Sequence, residues 1–498
     1  MSRILILLPN NLGDVIMTLP VLDGIKKQNA QNHVTFFVEE GFEGGLINFR
    51  SCDNIYKFPR KIVRDYVRTD SWKSGLELLK KISLELTHDN FDKVINLSQH
   101  SYISYLVGII NAQDTTGGIL LREGNFALRD AWSQYLYSVP FARSFNRFHA
   151  TDIYKKIAGI GEKGASRITL TEQEKTKAKD YLIGKGLTAI SRIAIFQPGA
   201  AYSAKRWPVE NFIALGEMLI KDGYNIIITG APSEIELGKG ICQNLSSNCI
   251  LSSGELTFRE TIALTSFSEI CITGDTALMH AVAALQKKVF AIFGSTNPVE
   301  TGPYGADNYI FAGRCANRPC FCNECKSKLC LKSILPEDVH SVISGTAHEK
   351  NGLNCDVFKT TFNEAGFYTL LPVFGTKDHY YNETGADLSW RAFDSSVIVS
   401  KNEDYQLFKD ESLRFTTILK KMEDELTRFI IQRDNEAIHN FENCKRDLME
   451  IKGIGEFWKA LLNIRLNSVP VIDIMKGVSD SRKICIDTRK QVEAVFLI

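Results

Sequence analysis

Several things are scarce in this sequence, and each scarcity excludes something. No apolar run approaches the roughly 20 residues that a bilayer-spanning helix needs, so a membrane-crossing chain is not expected. There is almost no net charge. Lys and Arg number 59 against 58 Asp and Glu, a formal +1, which gives no electrostatic case for nucleic acid as a partner. Nor is a secretory leader expected from the first residues. The apolar run Ile4–Leu8 is stopped by Pro9-Asn10-Asn11, whereas an h-region takes about 7–15 apolar residues and a small-residue cleavage site. The start reads as a buried first strand and the protein as cytoplasmic. No G-x-G-x-x-G follows that strand, so a dinucleotide-binding dehydrogenase loses its main support. There is no low-complexity segment and no repeat beyond two α/β halves.

Cysteine is present twelve times. Seven residues (Cys52, Cys242, Cys249, Cys271, Cys355, Cys444, Cys485) are scattered, and with no export signal the expectation is reduced core thiols. The other five, Cys315, Cys320, Cys322, Cys325 and Cys330, are spaced C-x4-C-x-C-x2-C-x4-C. Four thiolates could hold tetrahedral zinc or iron. The spacing matches no standard ribbon and no second C-x2-C follows, so a structural loop with free thiols is the competing reading.

At 498 residues the chain is too long for one ordinary core, and two or three domains are expected. Residues 3–8 read as a strand, followed by the loop Pro9–Asp14 and a helix over Val15–Lys27. Val34–Val38 and Asp92–Leu97 read as further strands. A polar helix near 171–186 leads to a second alternating half. Its strands are Arg192–Gln197 and Asn225–Thr229, and its helices Glu210–Asp222 and Leu256–Ser266. That half centres on 270–305, ICITGDTALMHAVAALQKKVFAIFGSTNPVETGPYG. The stretch reads strand, turn, small-residue helix, strand, turn. Both turns fall at carboxyl ends of strands, where open α/β sheets bind ligands. Behind the first turn lies a helix N-terminus, whose unpaired N–H groups and positive dipole end suit a phosphate. A short helix from Pro336 follows. From about 346 the texture changes: Tyr380–Gly385 reads as loop, 403–450 as one or two amphipathic helices, and the last 50 residues as largely helical, with a strand possible at Lys483–Ile486. No catalytic motif is seen in this third region.

Five stretches stand out together. They are ILILLPNNLGDVIMTLPVL at the start, FHATDIYKKIAGIG at 148–161, FQPGAAYSAKRWPVENFIALGEML at 196–219, ITGDTALMHAVAAL, and AIFGSTNPVETGPYG. In this order they resemble glycosyltransferase family nine, the ADP-heptose:lipopolysaccharide heptosyltransferases, over roughly residues 1–345. The resemblance implies an α/β GT-B fold of two Rossmann-like domains facing a cleft. Residues 1–165 would form the acceptor domain, 166–345 the donor nucleotide-sugar domain, and 346–498 a mainly helical C-terminal extension of unknown role. It implies an inverting, metal-independent enzyme with no required cofactor and ADP-L-glycero-β-D-manno-heptose as donor. The acceptor would be an inner-core lipopolysaccharide sugar, and the enzyme would work peripherally at the inner face of the inner membrane. A different nucleotide-activated sugar, a different surface glycan or a protein acceptor is compatible with the same fold, as is a non-catalytic nucleotide-sugar-binding scaffold.

Residue by residue, Asp14 falls in the family's LGD motif, where the resemblance implies a general base. By itself an acidic residue in a first helical turn is explained by the helix dipole. Lys205 of Lys205-Arg206-Trp207-Pro208 matches a K-x-W-P lysine implied to hold the donor diphosphate; a solvated loop cation is the plain alternative. Ser203 would add a hydroxyl donor, and Trp207 reads as packing. In Gly274-Asp275-Thr276-Ala277-Leu278-Met279-His280, the N–H groups of Thr276 to Leu278 would hold the diphosphate and Asp275 the sugar hydroxyls, unless Asp275 is simply a helix cap. His280 faces the diphosphate or packs. Many relatives carry Gly-Pro or Gly-Leu where this chain has Ala277-Leu278. Glu234 matches an acidic position associated with the donor nucleoside, and Thr296 and Gly302–Gly305 would shape the donor site. Lys57, Arg60, Lys61, Arg64 and Arg68 form a basic run. Lys57, Arg60, Arg64 and Arg68 fall on one face if the stretch is helical. Relatives use basic residues in this region for an anionic lipid-saccharide acceptor; a solvated face explains the run as well.

Overall fold

Two parallel sheets organise the chain, and each is built from short apolar runs that end in a loop. A computed structural model describes all residues except 70, 122–124, 129, 142, 162–166, 189, 246–247, 316–317, 328, 349–352, 377–386, 388–389, 391–402, 470–473 and 497–498. The expected loop Tyr380–Gly385 and the expected boundary between residues 165 and 166 lie outside or at the edge of the described residues.

The first sheet contains β1 (Arg3–Leu7), β2 (His33–Glu39), β3 (Asn54–Phe58), β4 (Lys93–Asn96), β5 (Asp114–Leu120) and β6 (Phe126–Leu128). Its order is β3-β2-β1-β4-β5-β6, parallel except for β6. The second contains β7 (Arg192–Gln197), β8 (Tyr224–Ile228), β9 (Cys249–Leu251), β10 (Ile270–Gly274), β11 (Lys288–Phe293), β12 (Tyr309–Ala312), β13 (Asp356–Phe362) and β14 (Tyr368–Val373). Its order is β14-β13-β12-β11-β10-β7-β8-β9, with β13 and β14 antiparallel. Two strands of the 346–498 region therefore extend the second sheet.

The helices of the two halves are α1 (Leu12–Met17), α2 (Leu19–Gln28), α3 (Arg60–Arg68), α4 (Trp72–His88), α5 (Ser101–Ile110), α6 (Ala131–Ser138), α7 (Ala150–Ile157), α8 (Glu172–Gly184), α9 (Val209–Lys221), α10 (Ile235–Cys242), α11 (Phe258–Thr265) and α12 (Ala277–Ala284). Strand periodicity decides which helices cover which face. Along β1, Ile4 and Ile6 pack with α1, α2 and α7, while Leu5 and Leu7 pack with Ile82 and Leu86 of α4 and Ile103 and Val107 of α5. Burial on both faces is why these strands read as continuous apolar runs.

The structure corrects several expectations. The helix expected over Val15–Lys27 is two helices, separated at Thr18, whose hydroxyl donates to the Val15 carbonyl (2.6 Å) and so competes with the helical ladder. Lys57 is not on a helix face with Arg60 and Arg64. It lies in β3, and Pro59, which fits a helix start but not its interior, marks where strand becomes helix. Lys483–Ile486 is not a strand but part of the helix Ile474–Val495. Cys242 and Cys249 are not free thiols: they are disulfide-bonded across the turn from α10 to β9.

The extension continues as helices Glu403–Gln432, Asn435–Met449, Gly455–Leu466 and Ile474–Val495. Although they follow the second half, they pack against the first. Phe408, Phe415, Phe457, Trp458 and Cys485 share a core with Tyr135, Phe145 and Phe148. Trp390 packs at a tilt against Trp132 with ring centroids 4.1 Å apart, and Phe408 meets Phe145 edge-on at 5.5 Å. Arg465 donates to the Gln134 side chain of α6. Trp458 is fully buried and its indole N–H donates to Ser412 Oγ (3.0 Å). Trp458→Ala is expected to cost about 3–5 kcal/mol and leave that hydroxyl's donor unreplaced, read as a lowered denaturant midpoint in far-UV circular dichroism. A midpoint unchanged from wild type would show that the bundle contributes nothing to cooperative stability.

Candidate active site

In each sheet the strand order reverses at one point, between β1 and β4 in the first and between β7 and β10 in the second. Loops leaving the carboxyl ends of two such strands diverge to opposite faces and open a crevice. Asp14 lies in the first turn of α1, which starts at Leu12 and not, as expected, after a loop Pro9–Asp14. Lys205 and Asp275 lie in the segments after β7 and β10, and the structure brings these three together. Helices α1 and α12 start opposite one another and are in contact.

Lys205 Nζ lies 2.7 Å from Asp275 Oδ2, with the aspartate side chain only 7 % exposed. Burial raises the Asp275 carboxyl, but Lys205, His280 and a hydrogen bond from Thr296 outweigh it and hold the carboxyl below its ordinary range. Asp14 belongs to the opposite half. Burial pushes its carboxyl up to about 6; Asp275 adds to the rise, while the Asn11 N–H, the Asn10 side chain and Lys205 oppose it. Two carboxylates thus share one cation, and the one without a direct ion pair titrates near neutrality.

Glycine makes this approach possible. A Cβ at Gly274 would come 3.0 Å from the Lys205 carbonyl, and one at Gly294 would come equally close to the Ala204 carbonyl. The 3₁₀ turn Ser203–Lys205 therefore lies directly over the ends of β10 and β11. Ser203 is on the same turn as Lys205. Gly199, at the end of β7, faces Glu234 so closely that a Cβ would overlap its carboxylate. Glu234 accepts from the Ala231 N–H (2.9 Å) and from Gln197 Nε2 (3.2 Å), which fixes it at the end of β7 beside the crevice.

Thr276 is the N-cap of α12 with its hydroxyl turned to Thr273 (3.0 Å), so the N–H groups at the start of the helix are not capped by its side chain. Ala277 and Leu278 form the first turn, Leu278 with its side chain in the core. His280 is buried, and burial takes its imidazole down to about 4, so it is neutral at physiological pH. A Cβ on Gly13 would lie 3.2 Å from His280 Cδ2. His280 therefore packs under the Asp14 loop across the crevice. Trp207 is buried and donates to the Ile334 carbonyl (3.0 Å), in keeping with packing.

The basic run is not part of this cluster. Lys57 pairs with Glu43 (2.6 Å) and Arg60 with Glu39 (2.9 Å), while Lys61 and Arg64 are exposed. They stand at the end of β3, two strands from β1. The five clustered cysteines surround a cavity of about 30 Å³ against Ala204 and Ser295, with Cys320 Sγ 3.3 Å from Cys322 Sγ. Among the described residues no group of three or more His, Cys, Asp or Glu is arranged to hold a metal ion, so the structure gives no support to the zinc or iron reading of this cluster.

Residues that the sequence did not single out lock the two halves together. His149 accepts the Thr151 N–H at Nδ1 (3.1 Å), which leaves Nε2 to donate to the Gly302 carbonyl (2.9 Å). Arg143 pairs with Glu300 (2.7 Å). Asp152 accepts from Tyr304 Oη (2.7 Å) and from the Tyr368 N–H (2.9 Å). Gly302 and Tyr304, expected to shape the donor site, are thus in the contact between halves. The 148–161 stretch was legible as a motif, but nothing in its spacing reveals that its polar residues are buried against 300–304. Tyr304→Phe removes one hydrogen bond to a buried carboxylate and is expected to cost about 1–3 kcal/mol, measured by thermal unfolding. An unchanged transition would mean that Asp152 is satisfied without Tyr304.

The comparisons agree with this geometry. The family model "Glycosyltransferase family 9 (heptosyltransferase)" matches residues 80–331, half of the chain. Lipooligosaccharide heptosyltransferase 2 of Haemophilus influenzae is 34 % identical over 113 residues, 22 % of this chain and 33 % of that protein. The chain thus spans about a third of the length of this relative. Lipopolysaccharide heptosyltransferase 1 of Pseudomonas aeruginosa is 22 % identical over 65 % of this chain and 87 % of its own length. A family 9 glycosyl transferase from Veillonella parvula shares the fold, with a TM-score of 0.58 at 23 % identity over 69 % of this chain and 96 % of that one. Two Rossmann-like halves meeting at their switch points, as in the GT-B fold, and a match across half the sequence lead to one conclusion: the chain belongs to glycosyltransferase family 9, the heptosyltransferase family.

Proposed function

We propose that the protein is an inverting, metal-independent glycosyltransferase that moves a heptose from ADP-L-glycero-β-D-manno-heptose to an inner-core lipopolysaccharide sugar. It would work in the cytoplasm, peripherally at the inner face of the inner membrane. Residues 1–165 would carry the acceptor, 166–345 the donor. The observation that carries this reading is the meeting of Asp14 with the Lys205–Asp275 pair across the crevice.

Asp14 takes the proton from the acceptor hydroxyl. The resulting oxygen attacks the anomeric carbon from the face opposite the nucleotide diphosphate, which leaves with inversion. A base with a carboxyl near 6 is largely ionised at pH 7 and still strong enough to accept a proton. Lys205 and the N-terminal N–H groups of α12 supply the positive charge that the leaving diphosphate requires. Ser203 and Thr296 add hydroxyl donors at the same site. Asp275, held ionised by Lys205, accepts from sugar hydroxyls, and Glu234 from the nucleoside ribose. Lys57, Arg60, Lys61 and Arg64 face the anionic acceptor, where planar guanidinium groups suit phosphate and carboxylate.

A second reading keeps the fold and mechanism with another nucleotide-activated sugar, and another glycan or a protein as acceptor. Ala277-Leu278 in the first turn of α12, and a helical bundle packed on the first half, favour it.

Purified protein, wild type beside Asp14→Ala, is offered a panel of ADP- and UDP-sugars with lipid-core acceptor. Transfer from ADP-heptose, reduced about 10²–10⁴-fold in the mutant, is expected. Transfer from a UDP-sugar would remove the heptose claim, and donor binding without turnover of any donor would favour a scaffold. The pH profile follows from the sign of the Asp14 shift. The carboxylate is the active form, so kcat/KM should climb as pH rises through about 6 and then level off. A profile flat from pH 5 to 8 would argue against Asp14 as the base.

A further inference from the structure

Helices α3, α4 and α5 cover one face of the first sheet. Their inward sides are apolar, as the sheet requires: Ile82, Leu86, Ile103, Val107 and Ile110 are buried against Leu5, Leu7, Phe37 and Phe58. Their outward sides carry exposed charges, as expected, but also large exposed apolar side chains. Leu76 and Leu84 of α4 are about 60 % exposed, Tyr105 and Ile109 of α5 more than half, and Ile62 of α3 nearly half. Single exposed apolar residues occur on any protein surface, but these five come from three consecutive, mutually packed helices.

Spacing and charge give the pattern its direction. Lys73, Leu76, Lys80 and Leu84 fall at i, i+3, i+7 and i+11, one stripe along α4, and Tyr105 and Ile109 are one turn apart on α5. The rim is basic. On α3, Arg60, Lys61, Arg64 and Arg68 stand against Asp65. On α4, Lys73, Lys80 and Lys81 stand against Glu77 and Glu85, the latter accepting from Tyr56 (2.6 Å). Exposed apolar side chains ringed by long, flexible cationic side chains are the chemistry that inserts below anionic headgroups while the charges stay at phosphate level. With seven cations against three carboxylates the rim is net positive, complementary to an anionic bilayer surface.

Placement supports the same occupant. Helix α3 begins at the carboxyl end of β3, the end of the sheet that also carries the Asp14 loop. A surface under α3–α5 would therefore lie beside the crevice mouth. We infer that the outward face of α3, α4 and α5 docks the protein on an anionic phospholipid bilayer. The inference deepens the proposed membrane-side role and rests on it for its purpose, but vesicle binding is measurable without any transferase activity.

The test is sedimentation of the full chain with vesicles of phosphatidylcholine alone and of equal parts phosphatidylcholine and phosphatidylglycerol. Wild type should partition onto the phosphatidylglycerol vesicles and lose them at high salt. A charge variant, Arg68→Glu with Lys80→Glu, and an apolar variant, Leu76→Ser with Leu84→Ser and Ile109→Ser, should each bind about tenfold more weakly. Both variants are expected to keep the wild-type unfolding transition, because every altered side chain is exposed. The apolar variant should keep wild-type turnover of a water-soluble acceptor. No binding of wild type to phosphatidylglycerol vesicles, equal binding to both compositions, or undiminished binding of either variant would overturn the inference. Vesicle binding by a protein that turns over no donor would leave this inference standing and remove the transferase reading instead.

Discussion

Three charged side chains from two halves of the molecule share one crevice, and the rest of the site depends on how that charge is balanced. Lys205 is committed to Asp275 by a 2.7 Å ion pair. Asp14 makes no ion pair among the described residues, and burial outweighs its hydrogen bonds from Asn11 and Asn10, so its carboxyl is the one that moves toward neutrality. That asymmetry assigns roles to otherwise similar carboxylates. One stays ionised and can accept hydrogen bonds from a ligand; the other can take up and release a proton near physiological pH. In the proposed reaction a donor diphosphate entering the crevice would compete with Asp275 for Lys205, and the same cation would then tie donor binding to the electrostatics felt by Asp14.

The balance holds only if the halves are held in register. Buried polar contacts do this: His149 to Gly302, Arg143 to Glu300, and Asp152 to Tyr304 and Tyr368. Each satisfies a group that would be costly to leave unpaired in the interior, so the pairs specify one arrangement of the halves. The C-terminal bundle strengthens the same unit from the other side. The chain leaves the second sheet after β14 and returns to bury Trp458 and Phe415 in the core of the first half, so the polypeptide ties both halves from each end.

Much of the fold was legible because short apolar runs bounded by Pro, Gly and Asn carry a strong strand signal. The runs at Ile4–Leu8, Arg192–Gln197 and Val289–Phe293 are strands nearly to the residue. β3 was not legible. Asn54–Phe58 lies at the edge of its sheet with a half-exposed, mixed sequence, and its one basic residue, Lys57, was grouped with the arginines of a helix that begins only after Pro59. Lys483–Ile486 misled for a related reason: β-branched residues within a packed amphipathic helix look like a strand when read alone.

By itself the sequence determined where the loops with chemistry are, because a loop's identity is local. LGD, K-x-W-P and GDT each sit at a strand-to-helix junction, LGD as the first residues of α1, and Asp14, Lys205 and Asp275 could be named from them. Only the tertiary structure decided that these loops converge, that Lys57 and Arg60 stand apart from them and are already paired, and that His280 lies beneath Gly13 rather than in open solvent. The reason is physical. Convergence depends on strand order and on the packing of one half against the other, which are set by contacts between residues far apart in sequence, from the 70 positions between Lys205 and Asp275 to the 153 between His149 and Gly302. The shift of Asp14 likewise arises from burial and from charges on the opposite half, neither of which its neighbours in sequence encode.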